Sequence, residues 1–404
     1  MPEPLSRPPS VAMLVAFTAI GPLALNLLVP SVPGIAADLD ASYATAQLTL
    51  TLYLVGIAAG QLLYGPLSDR FGRRPVLLAG LAAFVAASAA SALAGSIGML
   101  IGARIAQAVG GCAGMVLSRA MVHDVYGRER SASVLAYVVM AMAVAPAVAP
   151  ALGGFLDAWF GWRAGFYLTS ALGALVLVWA VFRLPETYHE RRALPDALSM
   201  LRGFGGLLSS RAFLGFALTT SFASAVYFGF LAGAPYVMDT LLGLGPETYG
   251  PLFVLISLGY MAGSFFAARM SVRMGPERML VLGTLMGLGG TVLMVALTAL
   301  FGAGQWSLFL PMALAAAGNG VGNPNGVAAA ISVDPRAAGT ASGLLGALQM
   351  GVGAIATVMV GAVQGSSALP MTLILLGFAI ASLMTLALAV RGRRAQARPL
   401  AAAD

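Results

Sequence analysis

The sequence contains no lysine, one cysteine and two histidines among its 404 residues. A single cysteine, Cys112, cannot form an internal disulfide or a cysteine-rich metal cluster. Neither His123 nor His189 has a serine, cysteine or carboxylate partner at a spacing typical of a catalytic site. These absences argue against a metalloprotein and against a membrane-embedded enzyme. We therefore expect no metal, no cofactor and no catalytic residue.

Charged residues are also scarce: they make up 9% of the chain, whereas 59% of the residues are hydrophobic. A soluble domain cannot keep so much apolar surface away from water, so the composition indicates a membrane protein. A transmembrane helix needs about 20 predominantly apolar residues. Twelve segments of this kind are predicted, at residues 11–30, 47–67, 75–94, 98–122, 132–157, 162–182, 212–238, 249–268, 279–299, 305–327, 338–362 and 369–390.

The basic residues are distributed unevenly between the segments that connect these spans. All 22 are arginines, and the formal net charge is +7. Most of them fall in segments that would share one side of the membrane, whereas Arg163 alone falls in the segments of the other side. The positive-inside rule places the arginine-rich side, with both termini and residues 183–211, in the cytoplasm. The basic excess is therefore a topology signal and does not predict binding of nucleic acid.

An internal repeat divides the chain. The sequence "SDRFGRRPVLLAG" at 68–80 aligns with "SVRMGPERMLVLG" at 271–283, and both copies follow the second predicted span of a set of six. Transporters are often built from two such halves, with the solute site near the midplane between them. We predict an N-terminal six-helix half at 1–182, a cytoplasmic linker rich in charge, proline and glycine at 183–210, and a C-terminal six-helix half at 211–404.

Several motifs carry a resemblance to a known family. They are "GPLSDRFGRR" at 65–74, "RIAQAVGG" at 104–111, "APALGG" at 149–154, "NLLVPSVP" at 26–33 and "AGTASGLLGALQM" at 338–350. Together they resemble the signatures of the major facilitator superfamily, and they match best its Bcr/CflA-type branch of bacterial drug:proton antiporters. One departure is Ala149, which stands where the helix-five signature of antiporters begins with glycine.

The resemblance implies an all-α membrane protein of twelve transmembrane helices in two pseudo-symmetric halves, with both termini cytoplasmic. It implies a multi-pass protein of the bacterial inner membrane that exports small organic solutes or drugs by alternating access. The expected partners are a small-molecule substrate, the lipid bilayer and, for an antiporter, protons; we expect a monomer. The antiporter motif of helix five would comprise Pro146, Pro150, Gly153 and Gly154.

Polar residues inside the predicted spans are the candidates for solute binding. An arginine at the membrane centre costs about 2.5–3.5 kcal/mol on insertion scales and usually lines a functional cavity. Arg104 is such a residue, and Gln107 follows it by three positions on a neighbouring part of the same helix face. In this superfamily the first helix of each three-helix set lines the cavity. The polar candidates in those helices also include Asn26, Ser224, Tyr227, Asn319 and Asn323, and Tyr53 and Gln349 are weaker additions from other helices.

The charged turn at 65–74 has two interpretations. The resemblance implies a conformational latch formed by Asp69, Arg70, Arg73 and Asp124. In that latch Asp69 would dock on the helix that starts near 337–340, and Arg73 would pair with Asp124. The alternative is a topology anchor, because a surface ion pair contributes less than about 1 kcal/mol.

One departure from the family pattern affects energy coupling. Bcr/CflA-type relatives usually carry an aspartate where this chain has Asn26, and no acid lies in the middle of any predicted span. Proton-coupled carriers typically relay the proton through an intramembrane acid or histidine. Three alternatives stay open: Asp38 or Asp124 titrates at the cavity mouth, the proton travels on the solute, or the protein is a facilitator, exchanger or importer without proton coupling. Arg104 favours neutral, zwitterionic or anionic solutes.

Overall fold

A computed structural model of the chain describes residues 8–189, 197–334 and 337–397, and every regular element within these ranges is helical. The thirteen α-helices are α1 (Val11–Leu27), α2 (Val32–Asp38), α3 (Tyr43–Phe71), α4 (Arg73–Ala92), α5 (Ile97–Phe160), α6 (Arg163–Arg183), α7 (Ala197–Ser209), α8 (Arg211–Tyr236), α9 (Pro246–Met274), α10 (Pro276–Phe301), α11 (Gln305–Ile331), α12 (Ala338–Ala362) and α13 (Leu369–Ala397).

Within the described residues, ten helical segments are long and apolar enough to cross a membrane. Two of the twelve predicted spans are not among them. The segment 132–157 lies partly among residues whose side chains are not described. The segment 305–327 belongs to α11, where two prolines and the asparagines at 319, 323 and 325 lower the mean hydropathy. The fold is therefore an all-helical membrane fold with ten identified spans.

The connection expected between the predicted segments 98–122 and 132–157 is not seen as a break, because α5 runs through both for 64 residues. No proline interrupts this helix before Pro146. Gly114 packs against the main chain of Phe17 in α1, and Gly153 packs against the main chain of Leu27 in the same helix. At 1.5 Å per residue these glycines would be about 58 Å apart in a straight helix, whereas Phe17 and Leu27 are about 15 Å apart. The long helix therefore doubles back, and both of its arms pack on α1.

The described chain divides into two compact units, residues 1–195 with 246–250 and residues 196–245 with 251–404. Each unit contains one copy of the repeated turn. Gly72 precedes α4 with φ 99°, and Gly275 precedes α10 with φ 81°. Such backbone angles favour glycine, so both copies conserve the residue for the same stereochemical reason.

The segment predicted as the linker contains a helix. Residues 184–189 have no regular structure, whereas α7 occupies Ala197–Ser209. Leu207 and Phe204 of α7 pack on the core of the second unit, against residues such as Phe213. Arg191, Arg192 and Pro195 of the predicted linker lie outside the described residues.

Candidate functional site

Arg104 is fully buried inside the first unit, where its guanidinium meets three helices. Nη1 donates to the main-chain oxygen of Ala24 in α1 at 3.2 Å and to Oε1 of Gln107 in α5. Nε donates to the main-chain oxygen of Thr49 in α3 at 3.4 Å. The predicted pair Arg104 and Gln107 is therefore in direct contact, and main-chain carbonyls supply the other acceptors.

A second layer of contacts orients this pair. Nε2 of Gln107 donates to Oγ of Ser88 in α4 at 2.7 Å. The Arg104 guanidinium carbon lies 4.1 Å from the centre of the Tyr53 ring and 5.7 Å from the centre of the Phe166 ring. The Tyr53 hydroxyl donates to the main-chain oxygen of Gly21 in α1 at 3.0 Å, which holds its ring beneath the guanidinium. Cation–π contact with a desolvated arginine is worth about 2 kcal/mol, so the rings stabilise the buried charge.

The charge of Arg104 has no carboxylate beside it in the part of the chain that the structure describes. The ion pairs seen there join Arg73 to Asp69, Arg73 to Asp124 and Arg163 to Asp38. Nη2 of Arg104 is buried and makes no hydrogen bond to any described residue. A guanidinium in this situation has donor capacity for a carboxylate, phosphate or carbonyl oxygen.

Asn26 is buried in α1, two residues after Ala24. Its Nδ2 donates to the main-chain oxygen of Pro22, one turn earlier in the same helix, at 2.8 Å. No aspartate or glutamate is among the buried side chains of the described residues, so the structure gives no buried acid in place of the one that Asn26 replaces. An amide at this position accepts and donates hydrogen bonds but does not take up a proton near neutral pH.

The second unit holds a separate polar cluster formed by α8, α9, α11 and α12. Nε2 of Gln349 donates to Oδ1 of Asn323 at 2.9 Å. The Tyr260 hydroxyl lies next to Asn323, and Tyr227 lies near Tyr260. The Tyr227 ring also meets the Phe253 ring edge to face, with 6.2 Å between ring centres. Of the residues predicted from sequence, Tyr227, Asn323 and the weaker candidate Gln349 belong to this cluster.

Asn319 faces a different set of helices from Asn323, although the two residues are four apart in α11. It lines a small recess together with Thr284 of α10 and Ser382 of α13. Its Oδ1 is buried without a hydrogen bond to any described residue. Asn319 and Asn323 therefore have different neighbours among the described residues, although residues four apart lie on the same side of a helix.

Some contacts around Arg104 and around Asn323 are made by residues that the sequence did not predict or gave only as weaker candidates. Tyr53 and Gln349, the weaker candidates, contact Arg104 and Asn323 directly. Ser88 and Tyr260 were not predicted, because they lie in α4 and α9, outside the helices expected to line the cavity. The glycines on either side of Tyr260 in "GYMAG" are the one local hint, since they mark close packing of α9 on another helix.

The charged turn between α3 and α4 is organised around Arg73, which is 7% exposed. Nη1 of Arg73 lies 2.6 Å from Oδ1 of Asp69, and Nε lies 3.0 Å from Oδ2 of Asp124. The expected pairing of Arg73 with Asp124 is present. Arg70, in contrast, is exposed and lies against the Phe71 ring, outside this cluster.

Three consecutive residues after α6 join the charged turn, and none of them was predicted. Glu186 accepts hydrogen bonds from the main-chain N–H of Arg73 at 2.9 Å and of Arg74 at 3.2 Å. The Thr187 hydroxyl donates to Oδ2 of Asp124 at 3.3 Å, and the Tyr188 ring centre lies 4.6 Å from the Arg73 guanidinium carbon. We call Arg73, Asp69, Asp124 and residues 186–188 the charged cluster.

Asp38 belongs to a separate group of contacts. Its Oδ2 accepts from Nη1 of Arg163 at 2.6 Å and from Nε1 of Trp162 at 3.1 Å. Arg163 also donates to the main-chain oxygen of Ala94 at 3.2 Å. These donors stabilise the ionised carboxylate, which argues against Asp38 as a group that exchanges a proton near neutral pH.

The predicted helix-five motif lies in the second arm of α5. Pro146 and Pro150 are inside the helix, Gly153 packs on the main chain of Leu27, and Gly154 is buried beside it. A larger residue at position 153 would collide with the Leu27 carbonyl oxygen, so the close approach of the two helices requires glycine there.

Comparison with known proteins gives concordant matches. The family model described as "Major Facilitator Superfamily" matches residues 14–357. A bicyclomycin resistance protein homolog of Haemophilus influenzae is 30% identical over 363 residues, covering 89% of this chain and 91% of that protein. The multidrug resistance protein D of Escherichia coli is 31% identical over 368 residues, with 89% and 91% covered. A chloramphenicol resistance protein of Pseudomonas aeruginosa is 34% identical over 333 residues, with 81% and 76% covered.

Solved structures match in fold. The crystal structure of a peptide transporter in complex with sulfate superimposes with a TM-score of 0.79 at 16% sequence identity, covering 96% of both chains. At this identity the likeness concerns the fold alone.

Proposed function

Because the chain belongs to the major facilitator superfamily and is a multi-pass membrane transporter rather than an enzyme, we propose that it exports small organic solutes from the cytoplasm. The names of its relatives, which refer to resistance to bicyclomycin, chloramphenicol and multiple drugs, support export. The proposal includes twelve spans, with the two arms of α5 as separate crossings and α11 as another. It places the protein in the bacterial inner membrane as a monomer, with both termini in the cytoplasm, as the arginine distribution favours.

The observation that carries the solute class is the buried Arg104. Its guanidinium is held by main-chain carbonyls, Gln107 and two aromatic rings, and no carboxylate lies beside it among the described residues. Two unit charges 4 Å apart interact by about 4 kcal/mol at an effective dielectric constant of 20. A cationic solute near Arg104 would meet a repulsion of that order. The transported solutes are therefore neutral, zwitterionic or anionic, with an oxygen acceptor for Arg104.

Proton antiport is the expected mode of coupling in this branch of the superfamily, but a second candidate has a specific observation in its favour. Asn26 occupies the position of the usual acid, and no Asp or Glu is buried among the described residues. The second candidate is a facilitator, exchanger or importer of the same solutes that uses the exporter fold without moving a proton.

The charged cluster is the proposed latch. Arg73 is buried between Asp69 and Asp124, so separating these groups would leave a desolvated charge unpaired. We expect Arg73 to keep both contacts in one state of the transport cycle and to lose at least one in the other. The contact of Asp69 with the start of α12 stays a prediction.

Everted membrane vesicles test the proposal directly. Initial uptake is measured for chloramphenicol, an anionic dye and ethidium, each with and without a protonophore, in vesicles with the wild-type chain, with Arg104→Ala and without the protein. Protonophore-sensitive uptake of chloramphenicol or the anionic dye supports antiport. Uptake that ignores the protonophore supports the second candidate.

Two results count against the proposal. Robust ethidium uptake would refute the electrostatic argument from Arg104. Uptake of all three solutes at the level of vesicles without the protein would refute export of this solute class.

A further inference from the structure

The first residues after α6 are fixed on the charged turn by one carboxylate. Glu186 accepts four main-chain N–H groups, from Arg73 and Arg74 in α4 and from Thr187 and Tyr188 in its own segment, at distances of 2.9–3.2 Å. The side chain thus joins the start of α4 to a segment 113 residues further along the chain.

The start of α4 needs an external acid. The first N–H groups of a helix have no partner within the helix and carry partial positive charge. Gly72 precedes α4 and has no side chain to cap it, and the first turn contains no acid but two arginines, Arg73 and Arg74. Cations at a helix N-terminus are unfavourable. Glu186 supplies both the acceptor oxygens and the negative charge that this turn lacks.

The repeated turn in the second unit provides an internal comparison. There α10 begins with Pro276, which has no N–H to satisfy, and its first turn carries its own acid, Glu277. The equivalent helix therefore has local compensation, whereas α4 depends on a distant residue. The difference between the two copies indicates that the contact of Glu186 is a specific feature of the charged turn.

The neighbours of Glu186 extend its effect to the charged cluster. Thr187 donates to Asp124, and Tyr188 lies over the Arg73 guanidinium. Because Glu186 also accepts the N–H groups of Thr187 and Tyr188, it orders this segment against α4. Loss of its carboxylate would release the cap, Thr187 and Tyr188 together.

We propose that Glu186 is a positioning residue of the transporter, which fixes the first turn of α4 and holds Arg73 in register with Asp69 and Asp124. This inference rests on the proposed transport function and on the latch within it. Glu186 sets the rate of the conformational step and has no part in solute recognition, because its hydrogen bonds to the described residues are made within the charged cluster and with the neighbouring Arg74.

The test compares Glu186→Gln and Glu186→Ala with the control His189→Ala, an exposed residue of the same segment. We expect both Glu186 variants to lower the maximal uptake rate by about two- to fivefold, the factor that corresponds to the usual charge effect at a helix N-terminus. The KM for the solute is expected to stay within about twofold, because no solute contact is lost. An increase in KM with an unchanged maximal rate would overturn the proposal, as would equal rates in all chains.

A double-mutant cycle with Asp124→Asn separates positioning from general stability. If Glu186 acts through the Arg73–Asp124 pair, Glu186→Gln slows wild-type uptake but adds little in the Asp124→Asn background. Additive slowing in the double variant would refute the coupling.

Hydrogen–deuterium exchange of the purified protein gives a readout that does not require a transported solute. Glu186→Ala should accelerate exchange in a peptide spanning the first turn of α4, whereas His189→Ala should leave it unchanged. Unaltered exchange in Glu186→Ala would overturn the inference even if transport is intact. If the variants show the expected differences in hydrogen–deuterium exchange but the wild-type protein transports none of the solutes, the result would instead count against the proposed function.

Discussion

The two copies of the repeated turn allow one prediction to be made with an internal control. Gly72 and Gly275 occupy equivalent positions, with backbone angles of φ 99°, ψ 154° and φ 81°, ψ 153°. A side chain added at position 72 would place its Cβ 2.5 Å from Oε2 of Glu186, whereas no described residue comes within 4 Å of a Cβ at position 275. Alanine at either site therefore imposes the same backbone strain, but only at position 72 does it also displace the carboxylate.

The magnitudes follow from these contacts. Non-glycine residues in this backbone region cost about 1–3 kcal/mol, so Gly275→Ala should destabilise the protein by that amount. Gly72→Ala carries the same cost and in addition loses a helix cap, which is worth about 1 kcal/mol. The predicted difference between the two variants is therefore about 1 kcal/mol, or roughly 2–4 °C in melting temperature for a unit of about 200 residues.

The assay is thermal unfolding of the purified variants in one detergent, each in the wild-type and in the Glu186→Ala background. The extra destabilisation of Gly72→Ala should disappear when Glu186 is already absent, and Gly275→Ala should cost the same in both backgrounds. Equal melting temperatures for Gly72→Ala and Gly275→Ala in the wild-type background would refute the reasoning, because they would show that Glu186 contributes nothing to the start of α4.

Three further predictions concern transport. Arg104→Ala should abolish uptake while membrane insertion, measured by surface labelling and yield, stays normal, and unchanged uptake in this variant would remove Arg104 from the site. Arg104→Lys should restore less than about a tenth of the wild-type uptake rate, because a point charge cannot reproduce the planar contacts of a guanidinium. Asp69→Asn should slow the cycle several-fold without altering solute preference in a competition assay; a shifted preference would contradict a latch. Asn323→Ala and Gln349→Ala should change the apparent solute affinity by similar factors and non-additively, since the two side chains share one hydrogen bond; fully additive effects would argue against a common cluster.

Hydrophobic patterning predicted most of the fold, because a run of about 20 apolar residues directly identifies a membrane-spanning helix. Ten spans and the repeated glycine turn agree with the structure. The two arms of α5 correspond to the segments predicted separately at 98–122 and 132–157, whereas the continuous helix through the polar residues 123–131 was not predicted, because charged residues and a glycine between two apolar runs are typical of a loop. The helix inside the predicted linker was hidden for a related reason, because glycine and charge around 203–206 are typical of a flexible connection.

Residues of the candidate site could be predicted from sequence where their side chains are energetically unfavourable inside a bilayer. Arg104 and Gln107 were found because charge and amide groups are expensive in a bilayer, and the pairing of Arg73 with Asp124 came from the family resemblance. Glu186 could not be found in this way. It lies in a polar segment where an acid is ordinary. Two of its four partners are main-chain N–H groups more than a hundred residues earlier, which side-chain patterns do not encode.

The acceptors of Arg104 have a consequence for the evolution of this transporter. Two of the three are carbonyl oxygens of the peptide backbone, at Ala24 and Thr49, and every amino acid carries that oxygen. Substitutions at positions 24 and 49 would therefore leave both main-chain acceptors of the guanidinium in place, as long as the two helices keep their register. Side chains around Arg104 could thus change during evolution while the guanidinium keeps its main-chain acceptors, and a search for co-varying positions would not detect these acceptors.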